Sequence, residues 1–444
     1  MSYLIKDIVK SRTFVGDWRP NWDILVDELQ ILGTIKEITV DNSSSMGSGA
    51  SITWKSISGE KPKVNTKVEI NMGYGEATNR VFKGWIDDID KKNPPYSLSV
   101  FARDTQKKFL DQIVTNPNAE PEEDPHHIVF EDTTPEYIFS VLCSWVGLEQ
   151  EEGYIYTEES HVTFEEFEIY WESYGDVISE LSDITGFEFY TDEIGRCFFQ
   201  YPNYRQPSRE NEPITLAFGI SELENKYIVD GSEYLRRYKL GEDPDLLQRD
   251  VDYEIDYRNG RITSIEEGDI EEGETLHISY IYAAHDFQEN QDLKLINVKT
   301  QDEDLYTKVV VVGEFENENE EIEEIKAEAE FPQKEDYNLF EQKILRLDVG
   351  KNADTFNKCE EIANRQVSIM KSKAKKVRLQ TLAVPSLKVG DCIFVKDTPT
   401  ETEEIYRIKD ISFSLSSSGF MSNITANFFG YSPVNELEPE EPEE

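Results

Sequence analysis

Little in this 444-residue chain could serve metal or thiol chemistry, since it holds four cysteines and five histidines. Cys143, Cys197, Cys359 and Cys392 form no CxxC pair and no Cys/His ligand spacing. That excludes the common zinc frameworks and leaves free, mostly buried thiols in a reducing compartment as the expected state. His126 and His127 follow the acidic "EPEEDP", but adjacent strand residues point to opposite faces and rarely share one ion. His161 and His285 are isolated, and His277 alternates away from Leu276 and Ile278. No apolar run approaches the ~20 residues of a membrane span. The opening "MSYLIKDIVKSRTF" lacks the apolar core of a signal peptide, so a soluble protein made in the cytoplasm is expected. Basic residues are also scarce, 45 against 90 acidic ones, for a net charge of -45. Such a surface repels nucleic acid over roughly 8–10 Å at physiological salt. This argues against a DNA reader that gains affinity through phosphate contacts.

Aromatic residues, by contrast, are plentiful. The hydrophobic fraction is only 38%, yet 22 Tyr and 23 Phe are present. Disordered chains are poor in aromatics, so this one folds, mainly through strands that suit Tyr, Phe, Ile and Val. The length allows several domains.

Along the chain, "VEINMGYGEATNRVFKGWIDDI" reads as two strands around a Gly-containing turn, and "PPYSLSVFARDT" closes the first region. The polar, proline-rich "TNPNAEPEEDP" marks a boundary. In "TTPEYIFSVLCSWVG", Thr134 suits the N-cap, Pro135 the first helical position and Gly147 the stop. Ile138, Val141, Leu142 and Trp145 then share a buried face. "SYGDVISELSDITGF" starts at Ser173 with Asp176 three residues on and stops at Gly186. The hairpin "FEFYTDEIGRCFFQY" follows. "DYEIDYRNGRITSI" alternates Tyr253, Ile255 and Tyr257 and turns at Asn259-Gly260, the start of a small all-β segment. A helix over 353–370 places Ala353, Phe356, Cys359, Ala363, Val367 and Met370 on one face. Strands complete the chain, and "NELEPEEPEE" is a solvated acidic tail. No repeat at a fixed period is present.

Each candidate for chemistry has a plainer reading. Gly73 and Gly75 have a superficial likeness to a phosphate loop, but Thr78 stands where a third glycine is needed and a strand follows, so a turn is expected. Glu165, Glu166 and Glu168 could be a glycosidase pair, yet among 90 acidic residues such pairs carry little information. The basic "KSKAKKVR", Lys371 to Arg378, sits at a helix end, where cations favour the dipole. A subunit contact is the second reading of it, and nucleic acid a distant third. Cys392 in "AVPSLKVGDCIFV" would need a histidine or a helix N-terminus to become a nucleophile. It has Asp391 instead and alternates with Phe394, which makes it strand core.

"VPSLKVGDCIFV", "YRIKDISFSL" and "FMSNITANFF" across a Gly turn resemble the C-terminal signature of phage tail baseplate hub proteins. This is the late control D or contractile-tail hub family, related to the N-terminal hub part of type VI secretion spike proteins. The Pro-x-Leu-x-x-Gly-Asp turn and Tyr-x-Ile strand of that family fall on Pro385, Leu387, Gly390, Asp391, Tyr406 and Ile408. "VEINMGYGEATNRVFKGWIDDI" with "LSVFARDT", and "SYGDVISELSDITGFEFYTDEIGRCFF", are similar to two further blocks in the same order.

The resemblance implies a β-rich α+β fold with two tube-forming β-barrel-like domains, an inserted α+β outer domain and an extra small β insertion. The expected division is 1–114 as the first tube domain, with 206–230 as a candidate to complete it, and 115–205 as the outer domain. An all-β insertion over 231–290, a second tube domain over 291–433 and an acidic tail over 434–444 follow. It further implies a homotrimer in the virion tail baseplate, assembled in the host bacterial cytoplasm. Its partners would be the tail tube protein, the central spike protein, and baseplate wedge or tape-measure proteins, and DNA would pass without specific binding. No catalytic residue, metal or cofactor is expected. A tail-tip hub or tail-associated protein of a non-contractile phage, a receptor-binding module and a tail-associated cell-wall hydrolase remain alternatives. No fused lysozyme or β-helical needle follows Tyr431, which tells against the hydrolase.

Overall fold

The structure, a computed structural model, describes residues 19–43, 47–58, 61–93, 96–110, 112–148, 154–160, 162–200, 208–217, 219–238, 244–271, 273–289, 291–300, 305–316, 322–331, 343–350, 353 and 355–433. The expected acidic tail over 434–444 lies outside them.

Alternation builds the main body. In the strand Lys67–Tyr74 every second residue, Val68, Ile70 and Met72, turns inward and is fully buried. It pairs with Ala77–Lys92 around the expected turn. A side chain at Gly73 would lie 1.9 Å from the Ala77 carbonyl, so only glycine lets the two backbones close there. The phosphate-loop likeness is therefore a hairpin.

N-terminal strands from Pro20 to Arg103 and C-terminal strands from His285 to Gly430 form one thirteen-stranded sheet. The two groups join where Leu32–Ser43 pairs antiparallel with Thr402–Ser416, in register from Ile38↔Leu415 to Ser43↔Asp410. Beneath this seam lies one shared apolar core, with Ile38, Val40 and Trp54 from one side and Tyr406, Ile411 and Phe413 from the other.

A second core runs from Phe109 to Phe199 and holds two of the expected helices. Pro135–Trp145 has Pro135 in its first turn, but the Thr134 side chain makes no cap bond. Its buried face is rotated from the expected one. Phe139 and Cys143 join Ile138 and Leu142, while Val141 and Trp145 are half-buried, because neighbours approach from two sides. Tyr174–Thr185 starts as expected, with Ser173 accepting from the Asp176 amide, and stops at left-handed Gly186. A short additional helix, Lys107–Leu110, precedes this unit.

Strand pairing crosses three of the expected boundaries. Within the described part of 206–230, Val229 packs with Cys392, Phe394 and Ile405 of the C-terminal strands, and the strands before it pair elsewhere. Ser208–Thr215 pairs with Thr275–Ile281 and Ile220–Glu222 with Arg261–Ser264, so these strands share the core of the β segment, from Ile214 to Tyr280. That segment ends before 290, since His285–Gln288 pairs with Cys392–Asp397 in the large sheet. The region 291–433 holds two cores. The helix begins at Phe356 and ends at Lys373, and it packs on a separate three-stranded sheet of Lys308–Glu316, Ile322–Glu330 and Ile344–Gly350. Ala353 precedes the helix and is buried within this smaller core.

Candidate functional site: the joint between the units

The stretch that carries the family cue folds as a turn locked to a strand. Leu387 donates to the Val384 carbonyl, and the Asp391 carboxylate accepts from the Lys388 amide at 2.9 Å. Gly390 sits at φ 89°, a left-handed conformation that suits glycine. Its amide donates to the Ile408 carbonyl at 2.8 Å, and the Ile408 amide returns to the Asp391 carbonyl at 2.9 Å. Tyr406 pairs with Ile393 on the adjoining strand and is fully buried. Pro385, Leu387, Gly390, Asp391, Tyr406 and Ile408 are thus brought into one structural element.

That element stands where three parts meet. Pro385, Leu387, Lys388 and Val389 line a narrow cleft with Asn42, Arg80 and Val81 of the N-terminal strands and Thr191, Asp192 and Glu193 of the outer hairpin. Tyr74, from the Gly-Tyr turn, donates to the Ala383 carbonyl at 3.1 Å, and burial pushes its phenol up to about 12. Lys388 pairs with Glu193, and Lys409 pairs with Glu188.

A buried carboxylate strengthens the same junction. Asp104 accepts from the Ser48 amide at 2.8 Å, from the Gln106 amide at 2.9 Å and from the Thr191 hydroxyl. Burial pushes its carboxyl up to about 6, against the lowering effect of those donors. Arg365 reaches from the long helix to the Thr185 and Ser160 carbonyls at 3.2 and 3.3 Å. Asp104 entered the sequence reading only as the last residue of the Ala-x-Asp strand in "LSVFARDT", with no role, and Ser43, Thr191, Glu193, Arg365 and Asp410 were missed, because nothing local distinguishes them from ordinary surface polar residues.

The residues considered for chemistry are dispersed. Glu165, Glu166 and Glu168 lie on the exposed face of the strand Phe164–Tyr170, with Glu168 held by His127 at 2.8 Å. His126 instead packs on the Trp171 ring at 4.1 Å. Among the described residues, no group of three or more His, Cys, Asp or Glu is placed to hold a metal. Cys392 is fully buried. Desolvation pushes its thiol up to about 12, with Arg407 lowering it and Asp391 raising it further. In the basic cluster, Lys371 and Lys373 fall in the last helical turn, and Lys375 pairs with Glu404 at 2.6 Å on the following strand. No described helix is long and apolar enough to cross a membrane.

No family model and no curated protein matches the sequence. Solved structures do. The 43 kDa tail protein of prophage MuSo2 from Shewanella oneidensis aligns over 92% of this chain and 98% of its own, at 12% identity and a TM-score of 0.56. This chain has the fold of phage tail proteins. The tail protein from Neisseria meningitidis MC58 aligns over 94% of this chain and 98% of its own, at 8% identity and a TM-score of 0.57.

Proposed function

We propose that this chain is a structural hub subunit of a phage-type tail, acting by assembly and not by catalysis. The observation that carries this reading is the seam at Ile38–Ser43 and Asp410–Leu415. It fuses two strand groups into one sheet, in a chain with the tail-protein fold over nearly its whole length. Two strand units per subunit, repeated by a threefold axis, place six units in a ring, the number a hexameric tube presents. In this reading the strand parts of 1–114 and 291–433 form the ring, and 115–205 stands outward. The β segment within 206–290 is an addition. The tail tube protein and tape-measure proteins adjoin the ring on one side, and the central spike on the other. The particle is of the contractile, baseplate-bearing kind and assembles in the host cytoplasm.

The net charge of -45 gives the ring a physical role. A basic lumen would retain DNA through counterion release, whereas an acidic one lets it pass. Negative-stain imaging with mass measurement of the purified chain tests the assembly. A trimeric ring with an open centre is expected, and a monomer at every concentration overturns the reading. Net positive residues lining the hole of that ring would overturn the channel role alone.

A further inference from the structure

A cavity of about 250 Å³ opens between the N-terminal strands and the outer unit. Lys67, Lys83, Lys108, Trp85, Tyr154 and Gly195 are among the residues that line it. Three lysines thus share one cavity within a chain of net charge -45.

Elsewhere in this region cations are matched by carboxylates: Arg103 and Lys107 share Asp87. In the cavity only Lys83 has such a partner, Glu69 at 3.8 Å, and Arg80 already holds Glu69 at 2.7 Å. Among the described residues, no carboxylate forms an ion pair with Lys67 or Lys108. Lys108 instead rests over the Trp85 ring at 5.1 Å. Burial and the neighbouring Lys67 push its ammonium below the ordinary lysine value. Two like charges drawn to one partly desolvated cavity carry a free-energy cost that a bound anion removes.

We propose that this cavity receives a carboxylate side chain from an acidic segment of a partner protein. Its size lies below the ~300–1,000 Å³ of small-molecule sites, so it suits one or two side chains and not a nucleotide. Among the described residues the lining contains no arginine, the residue whose planar fork favours bidentate phosphate recognition. Trp85 and Tyr154 offer apolar surface for the methylene stem of a glutamate, while the lysines meet its head.

The test uses the full chain and a fluorescein-labelled hexaglutamate peptide, followed by anisotropy at low salt. Saturable binding is expected, weakened roughly tenfold or more by K67Q/K108Q, the loss of about one charge-assisted contact. Lys67 is exposed, so K67Q alone keeps the fold and must weaken binding in the same direction. Glutarate is expected to displace the peptide better than inorganic phosphate does. Absence of binding, binding indifferent to both variants, or stronger displacement by phosphate would each overturn the proposal.

Discussion

The hydroxyl of Ser43 donates to the Asp410 carboxylate at 2.6 Å, and these two residues face each other as strand partners. They close one end of the seam that makes a single sheet of the N- and C-terminal strands. A hydrogen bond to a charged acceptor is worth about 1.5–3 kcal/mol when its loss leaves the acceptor unpaired. S43A is therefore expected to destabilise the joined sheet by an amount near the lower end of that range, since the site is only half-buried. Chemical denaturation of S43A beside the wild type checks this. An unchanged midpoint would mean that water replaces the hydroxyl at no cost.

Gly390 offers a sharper test of the turn. With φ at 89°, any side chain there is strained, at a cost of about 1–3 kcal/mol. G390A should lower the melting temperature and loosen the Ile408 pairing, read as faster amide exchange at Gly390 and Ile408 than at Val68 or Ile70. Wild-type melting in G390A would show that the turn relaxes into another conformation.

Asp104 makes stability depend on pH in a direction opposite to most carboxylates. Its carboxyl is raised from 3.8 to about 6 in the folded state. The stabilisation from this group is thus fully present below about pH 4 and is lost as pH rises through about 6. Other carboxylates, such as Asp87, shift the other way. The contribution is therefore isolated by comparing wild type with D104N. The stability of the wild type relative to D104N should fall by roughly 2 kcal/mol between pH 4 and pH 7. A flat difference would mean that Asp104 ionises as freely as in the unfolded chain.

Cys392 should resist thiol reagents. Its thiol is fully buried and raised from 9.0 to about 12. Labelling with iodoacetamide at pH 8, followed by peptide mass mapping, should modify Cys392 only after denaturant is added. The stabilisation linked to this thiol is present below about pH 9 and declines as pH rises through 12. Rapid labelling of Cys392 in the native protein would restore it as a candidate nucleophile.

The paired lysine contact at the outer hairpin is the last test. Lys388 meets Glu193, whose side chain is 9% exposed. K388Q should cost more than E193Q. Losing the lysine removes the counter-charge of a near-buried carboxylate, whereas E193Q leaves a neutral amide there and an exposed ammonium that water solvates. The order is read from limited proteolysis of the 188–200 hairpin, with faster cleavage in K388Q. Equal rates in the two variants would show that the pair only decorates the surface.

Much of the local structure was legible in the residues themselves. Alternating Val68, Ile70 and Met72 specify a strand buried on one face, and Ser173 with Gly186 brackets a helix. Gly390 next to Asp391 marks a turn because few other residues adopt its φ. These signals act over a few residues, so the chain carries them whatever surrounds it. The rotation of the Pro135–Trp145 face, the start of the long helix at Phe356 and the pairing of Ser208–Thr215 with Thr275–Ile281 were not legible. Each depends on which distant element approaches, and strand pairing has no local code when several acidic, alternating strands are interchangeable.

The same division applies to the joint. The sequence by itself determined that 383–395 is a turn leading into a core strand, and that Cys392 lacks what a nucleophile needs. Only the tertiary structure decided that this turn lies against Asn42, Arg80 and Glu193, and that Ser43 meets Asp410. The three lysines of the cavity likewise come together only in the fold, from two adjacent strands and a short helix. Polar side chains far apart in the chain acquire a joint meaning only when packing brings them within a few ångströms, where desolvation makes each pairing count.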